Sequence, residues 1–395
     1  MPPHDPIVIA GAARTPIGGF QGDFKDLAAP ELGAIAIRAA VERAAIPPDS
    51  VEEVLFGCVL PAGLGQAPAR QAALGAGLNL HAAATTVNKV CGSGMKSVML
   101  AHDLLLAGSA SIAVAGGMES MTNAPYLLDR ARAGFRLGHQ RALDHMFLDG
   151  LEDAYDKGRL MGAFAEQCAQ QYSFSRAAQD DYALASLSRA QRAGSDGSFA
   201  AEIVPVTVKS GATGREVLLD EQPLKARPEK IPTLKPAFQE NGTVTAGNSS
   251  SISDGAAALV LMRLSRADRL GVKPLARIVA HSTFAHQPSL FPTAPIGAIN
   301  NLVDRIGWSL SDIDLFEINE AFAVVVMAAM RSLALPHDKV NIHGGACALG
   351  HPIGCSGARI LVTLLAALQK HNLRRGIASL CIGGGEATAL AVERL

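Results

Sequence analysis

The sequence predicts an α/β protein built from two copies of one unit, with a longer segment inserted between them. Two observations carry this. The runs Asp49-Ser-Val-Glu-Glu-Val-Leu-Phe56 and Ser309-Leu-Ser-Asp-Ile-Asp-Leu-Phe-Glu-Ile318 are alike, and the next reactive side chain lies 35 residues on in each copy, from Phe56 to Cys91 and from Phe316 to His351. Each copy then offers a strand, a glycine-rich turn, an apolar helix, a second strand and a glycine cluster, over Thr85 to Gly117 and Lys339 to Gly385. A supersecondary pattern repeated in register is the mark of a duplicated α/β unit.

The elements follow in order. Ile7 to Ala13 is an apolar run expected as a buried strand. A helix is expected over 30–45, with Leu32, Ile35, Ala36, Ala39 and Ala40 on one side and Pro47-Pro48 ending it. A strand over 51–60 follows, then a helix over 95–107 stopped by Gly108. In the second copy a helix over 298–306 leads to the strand ending at Ile318, a helix over 358–370 places Lys370 and His371 at its negative end, and a strand covers 377–380. The segment from about 121 to 250 is more polar, carries a helix around 176–193, and reads as an insertion or lid. The expected division is 1–120 with 252–273 as the first half, 121–251 as the inserted loop domain, and 274–395 as the second half.

A chain of 395 residues exceeds what one core usually organises, and 49% apolar residues with only 5% aromatics means that small aliphatics fill it. A net charge of −1 and the lack of any run of five basic residues exclude nucleic acid and acidic membranes as natural partners. No basic segment followed by an apolar one opens the chain, and no stretch approaches 18 uncharged apolar residues, so a cytoplasmic location is expected. The six cysteines, at 58, 91, 168, 347, 355 and 381, form no CxxC pair and read as reduced thiols. Lys225, Arg227, Lys230 and Lys235 face only Glu229, which reads either as a solvated face or as a phosphate-binding surface.

Four segments end a predicted strand in glycines and present a reactive side chain: 88–95, 319–323, 344–357 and 381–385. Cys91 lies where a strand hands over to a helix, so its sulfur is expected to face the helix N-terminal amides, with a lowered pKa, and its own amide can donate to an oxyanion. His351 falls at the equivalent turn of the second copy, and pseudo-symmetry is expected to bring it beside Cys91 as base beside nucleophile. Cys381 precedes three glycines; it offers a thiol to take a proton from carbon, and Gly383 an amide for the resulting enolate. Asn319-Glu320 is by itself equally a helix cap. His343, Cys347, His351 and Cys355 recur every four residues, as metal ligands on a helix would, but glycines 344, 345, 350, 354 and 357 and Pro352 break such a helix, and no metal site is expected.

Taken in order, Arg14-Thr-Pro16, Asn88 to Gly94, Gly116-Gly-Met-Glu-Ser120, Thr245 to Ser250 with Asp254-Gly-Ala256, Asn319 to Ala323, Gly344 to Gly357 and Cys381 to Gly385 resemble the thiolase family, essentially end to end. The resemblance implies βαβαβαββ halves in a layered α/β/α/β/α core. It also implies a reversible Claisen condensation of two acetyl-CoA to acetoacetyl-CoA and CoA, with no metal or redox cofactor, CoA thioesters as substrates, and a homodimer or homotetramer. By the same resemblance Cys91 is acylated, His351 activates it, and Cys381 deprotonates the second acyl-CoA. Asn319 with a water and His351 form one oxyanion hole; the amides of Cys91 and Gly383 form the other. Ser250 and Phe238 match contacts to the pantetheine arm, Met161 lies in the loop lining the acyl pocket, and Glu320 matches a glutamate supporting the water or the ring.

The chain departs from that pattern at Leu160, where biosynthetic relatives commonly carry histidine, and at Pro223, where many have an arginine near the adenine, leaving Lys225 or Arg227 to replace it. Ala387 and Cys355 stand where glycine and alanine are more usual. Phe291-Pro292 resembles the variant that accepts 2-methyl-branched substrates, so a broader 3-ketoacyl-CoA thiolase of β-oxidation is the alternative. A carrier-protein condensing enzyme would want two histidines and no Cys381. A nucleotide-binding oxidoreductase would want GxGxxG after the first strand, where Gly11-Ala-Ala-Arg-Thr-Pro stands. A catalytically dead CoA-binding scaffold would not be expected to keep all four reactive positions.

Overall fold

The computed structural model describes residues 5–210 and 213–395. The first half runs β1 (Ile7–Arg14), α1 (Ala29–Arg43), β2 (Glu53–Gly57), β3 (Ala83–Val87), α2 (Ser93–Ala107) and β4 (Ile112–Ser120). The inserted segment carries α3 (Met161–Gln171), α4 (Arg176–Ser195) and two small two-stranded antiparallel sheets, and the chain then returns to the large sheet as β5 (Ser253–Arg263). The second half runs β6 (Ala276–Ala285), α5 (Ala294–Ile306), β7 (Leu315–Ile318), α6 (Ala323–Leu333), α7 (Ser356–Lys370), β8 (Arg375–Ile382) and β9 (Glu386–Arg394).

Strand order exposes the duplication. Outward from β1 run β5, β4, β2 and β3, the first two pairings antiparallel and the last two parallel. Outward from β6 run β9, β8 and β7 in the same senses, and a parallel bridge from Phe316 to Val340 stands where β3 stands in the first half. A short antiparallel pairing of β1 with β6, Val8 with Arg277 and Ile9 with Ala276, joins the halves. Phe56 in β2 and Phe316 in β7 are therefore equivalent, as the 35-residue spacing predicted.

Three apolar clusters make five layers. On β1, Val8 and Ala10 face α1, while Ile7, Ile9 and Ala12 face α2 and α7. On β9, Leu390 and Val392 face the same two central helices, and Ala387, Ala389 and Ala391 face α5 and α6. Strands buried on both faces explain the continuous apolar runs, and the all-round apolar character of α2 and α7 follows from their place between two sheet halves. The expected strand over 51–60 stops at Gly57, because the Val59 and Leu60 amides turn away to the Glu119 carboxylate at 3.0 and 3.1 Å. The helix expected from 298 begins at Ala294, with Pro295 in its first turn, where a missing amide hydrogen costs nothing.

The insertion is anchored by charge. Arg14, fully buried at the end of β1, meets Glu202 at 2.6 Å and both Asp220 oxygens at 2.7 and 2.9 Å. No helix among the described residues is long and apolar enough to cross a membrane.

Candidate active site

The two central helices approach backbone to backbone at their first turns. A Cβ at Gly94 would lie 2.8 Å from the Ala358 amide nitrogen, and one at Gly357 would lie 2.4 Å from that of Met95. Only glycine permits that approach. It brings the turn before α2, which carries Cys91, against the loop before α7, which carries His351: a Cβ at Gly94 would lie 3.0 Å from the Gly354 and Cys355 carbonyl oxygens, and Cys91 borders the apolar clusters that hold Ile353 and Cys355.

The Cys91 turn is tightly specified. Asn88 Oδ1 accepts from the Val90 amide at 2.9 Å, and the Ser93 hydroxyl accepts from the Lys89 amide and donates to the Val90 carbonyl, at 2.8 and 2.7 Å. Val90, a β-branched residue, sits at φ 46°, a left-handed conformation that such a side chain adopts only when its surroundings enforce it. The strain is stored beside the thiol.

One expectation is corrected here. Burial pushes the Cys91 thiol up to about 11, and the nearby Glu119 carboxylate adds to the rise; the Gly383 and Cys91 amides, both aimed at the sulfur, lower it by less. The helix N-terminus is present, but the site behind the sulfur is closed to water, so desolvation outweighs it. Cys91 is a thiol at neutral pH and needs a base.

His351 is buried, and burial lowers its pKa to about 3, so it is neutral and able to accept a proton. The Ser356 hydroxyl donates to the Pro352 carbonyl at 3.0 Å, so it accepts from His351 Nδ1, 2.5 Å away. That assignment makes Nε2 an acceptor on the side of the site, where the Asn319 amide group donates to it. Asn319 Nδ2 lies 3.5 Å from Nε2, and Asn319 Oδ1, fully enclosed, has no hydrogen-bond partner among the described residues.

Cys381, at the end of β8, is 1% exposed, and its pKa is raised by burial first and then by the charge of Cys91. Two thiols thus share one site. A Cβ at Gly383 would lie 3.4 Å from the Met161 sulfur and 3.8 Å from Val90 Cγ1, so Gly383 stands between the Cys91 turn and Met161. Cys381 packs in a cluster with Phe164, Phe291 and Phe322, against which Met161 and Phe238 lie. The rings interlock edge to face: Phe164 with Phe291 at 6.3 Å, and Phe238 with Phe322 at 6.0 Å between centroids.

A cavity of about 280 Å³ lies beside this centre, with Lys225, Arg227 and Lys230 on its wall together with Ser249 and Ser251, which flank Ser250. The Ser251 carbonyl accepts from the His351 amide at 3.0 Å, which links the basic rim to the reactive loop. Lys235 is not on that wall. Lys225 is engaged by Glu221, whereas Arg227 and Lys230 make no ion pair among the described residues, so the free positive charge is theirs. The Ser250 hydroxyl donates to the Ala321 carbonyl at 3.0 Å and offers a ligand only its lone pairs.

Glu320 does not touch the His351 ring. Its oxygens receive the Tyr182 and Ser186 hydroxyls at 2.8 and 2.7 Å, Asn341 Nδ2 at 2.9 Å and the Cys347 amide at 3.0 Å. No donor comes from His351; the carboxylate fastens α4 of the insertion and the loop leading to His351 around the second half. The four-residue spacing at 343–355 forms no continuous helix: a short helix over Ala346–Leu349 ends at Gly350, φ 106°.

Sequence reasoning gave no role to Ser356 or Glu119. Glu119, fully buried at the end of β4, accepts from Val59, Leu60 and, at 2.8 Å, the Gly354 amide of the His351 loop. Burial raises its pKa to about 7. A lone acid closing an apolar strand was the available signal. Glu119→Ala leaves three buried amides without an acceptor and is expected to destabilise the protein by about 2–5 kcal/mol. Urea unfolding measures it, and an unchanged midpoint would refute this role.

The model of the thiolase N-terminal domain matches residues 7–265, and that of the thiolase C-terminal domain matches residues 272–394. The chain belongs to the thiolase family. This thiolase is 51% identical to acetyl-CoA acetyltransferase 2 of Arabidopsis thaliana, over 100% of its own chain and 98% of the relative. It is 46% identical to an acetyl-CoA acetyltransferase of Cupriavidus necator, with 98% and 99% covered, and 51% identical to mitochondrial acetyl-CoA acetyltransferase B of Xenopus laevis, with 98% and 92% covered.

Proposed function

We propose that this thiolase is an acetyl-CoA acetyltransferase, condensing two acetyl-CoA to acetoacetyl-CoA and CoA and catalysing thiolysis in reverse. The observation that carries the reading is the pairing of two thiols, half-buried Cys91 and buried Cys381, close enough for the charge of one to act on the other, beside the loop that carries a neutral histidine, in a member of this family.

In our mechanism His351 Nε2 takes the Cys91 proton as the sulfur attacks the thioester carbon, and CoA departs with the proton of Cys381. The amides of Cys91 and Gly383 hold the tetrahedral oxyanion. The Cys381 thiolate then removes an α-proton from the second acetyl-CoA. Protonated His351 and a water on Asn319 hold the enolate oxygen, and the Asn319 oxygen without a protein partner suits that water. The enolate carbon attacks acetyl-Cys91, the Cys91 sulfur leaves, and it regains its proton from His351. Atoms and protons balance with no metal or redox cofactor. Arg227 and Lys230 would meet the CoA phosphates, while Ser250, Phe238, Met161 and Phe291 would line the pantetheine and acyl path.

The buried Phe164, Phe291 and Phe322 rings favour short acyl groups. Thiolysis kcat/KM is expected to be at least about tenfold higher for acetoacetyl-CoA than for 3-ketohexanoyl-CoA, since each poorly accommodated methylene costs about 1–3 kcal/mol. The broader 3-ketoacyl-CoA reading, favoured by Leu160 and Phe291-Pro292, predicts comparable values and good use of 2-methylacetoacetyl-CoA. A steady-state comparison of the three substrates decides between them.

For assembly we propose a homotetramer or homodimer. Tyr126, Leu128 and Leu137 project exposed apolar side chains from the inserted segment, and β3 is an edge strand. Six unpaired thiols suit a reducing compartment, the cytoplasm in our reading.

A further inference from the structure

At the far end of α2 from Cys91 a second group of ligand-forming side chains converges. His102 and Asp103 lie in the last turns of that helix, and His281 lies on β6 of the other half. Asp103 Oδ1 is 3.0 Å from His102 Nδ1 and 2.9 Å from His281 Nε2, and the three atoms all fall within 4.8 Å of one another. The imidazoles stand edge to face, 5.1 Å between centroids. The reaction described above uses none of them, and the helical rise puts them about 17 Å along α2 from the nucleophile.

We propose that His102, Asp103 and His281 form a site for a divalent transition metal, Zn2+ by preference, clamping the central helix of the first half to the sheet of the second. Two imidazoles and one carboxylate suit borderline ions rather than Mg2+ or Ca2+, which favour all-oxygen sets. Zinc bonds of about 2.0–2.1 Å in a tetrahedral arrangement place donor atoms about 3.3 Å apart, so the two separations from Asp103 Oδ1 need to widen by only a few tenths of an ångström, and the ligand atoms of the two rings already lie within 4.8 Å. Each ring shifts its proton to the opposite nitrogen as the metal enters. His102 is buried, whereas the Asp103 side chain is 54% exposed, which gives the ion an entry path and a fourth position for water. The Arg305 guanidinium, bonded to the His281 carbonyl at 2.9 Å, opposes binding and predicts a moderate affinity.

The test uses the full-length protein, freed of metal with a chelator and titrated with Co2+ as a spectroscopic probe. One Co2+ per chain is expected, with a visible ligand-field band and no thiolate-to-cobalt charge-transfer band; Zn2+ displaces it and raises the thermal midpoint. Asp103→Asn, at a half-exposed position, and His281→Ala, which removes a largely buried ring far from the reactive centre, should lose the band and the thermal shift while retaining wild-type thiolysis. No binding in molar excess, a thiolate band at that stoichiometry, or equal binding by the two variants would overturn the proposal. Unchanged thiolysis in the variants separates this result from any failure of the active-site assignment.

Discussion

Cys91→Ala takes up no label from radiolabelled acetyl-CoA, and its condensation and thiolysis rates fall by more than about 10^4-fold. The expectation rests on position rather than on intrinsic reactivity. All six thiols of the chain are pushed upward by burial, so none is distinguished by a low pKa. Cys91 is distinguished because it is half-buried where Cys381 is closed off, and because two amides, its own and that of Gly383, point at its sulfur. Those amides are where a thioester oxygen would be held during attack. Removing the sulfur leaves the donors and the base in place with nothing to acylate. Alanine is smaller than cysteine and fits the strained turn, so the variant should fold; circular dichroism and thermal unfolding check this. Label recovered on Cys381 or another residue after peptide mapping would move the nucleophile elsewhere.

Cys381→Ala separates the two halves of the reaction. It is expected to accept acetyl label at near wild-type stoichiometry while condensation falls by about 10^2–10^4-fold, the usual contribution of a positioned acid or base. Acylation survives because the departing CoA sulfur is a thiol with an ordinary pKa of about 8.5 and leaves without strong acid assistance near neutral pH. Carbon–carbon bond formation does not survive, because an acetyl α-hydrogen is far less acidic and needs a base placed against it. Cys381, enclosed by Phe164, Phe291 and Phe322, is the thiol packed against that apolar wall. Condensation near the wild-type rate would identify a different base, with His351 the first to examine.

Much of this molecule was legible in its sequence because the relevant signals are local. The apolar runs, the 3.6-residue spacing of the helix after Pro30 and the proline and glycine stops specify elements within a few residues. The equal spacing from Phe56 to Cys91 and from Phe316 to His351 revealed the duplication, and the strand order repeats it. The same reasoning failed where an outcome depends on residues far apart in the chain. The Cys91 turn has amides aimed at the thiol, yet enclosure outweighs them and keeps the proton on the sulfur. Glu320 sits one residue from Asn319, but its carboxylate answers to Tyr182 and Ser186, 138 and 134 residues away. The basic run at 225–235 allowed two readings until folding paired Lys225 with Glu221 and left Arg227 and Lys230 on the cavity wall.

The sequence by itself determined the α/β duplicated plan and the glycine turns on which the candidate reactive side chains stand, since backbone preference and hydrophobic periodicity act at short range. Only the tertiary structure decided which groups meet and in what state of protonation. Gly94 against Gly357, Ser356 on His351 and Glu119 on Gly354 are contacts between distant segments, and the loss of water they enforce fixes the charge each group carries.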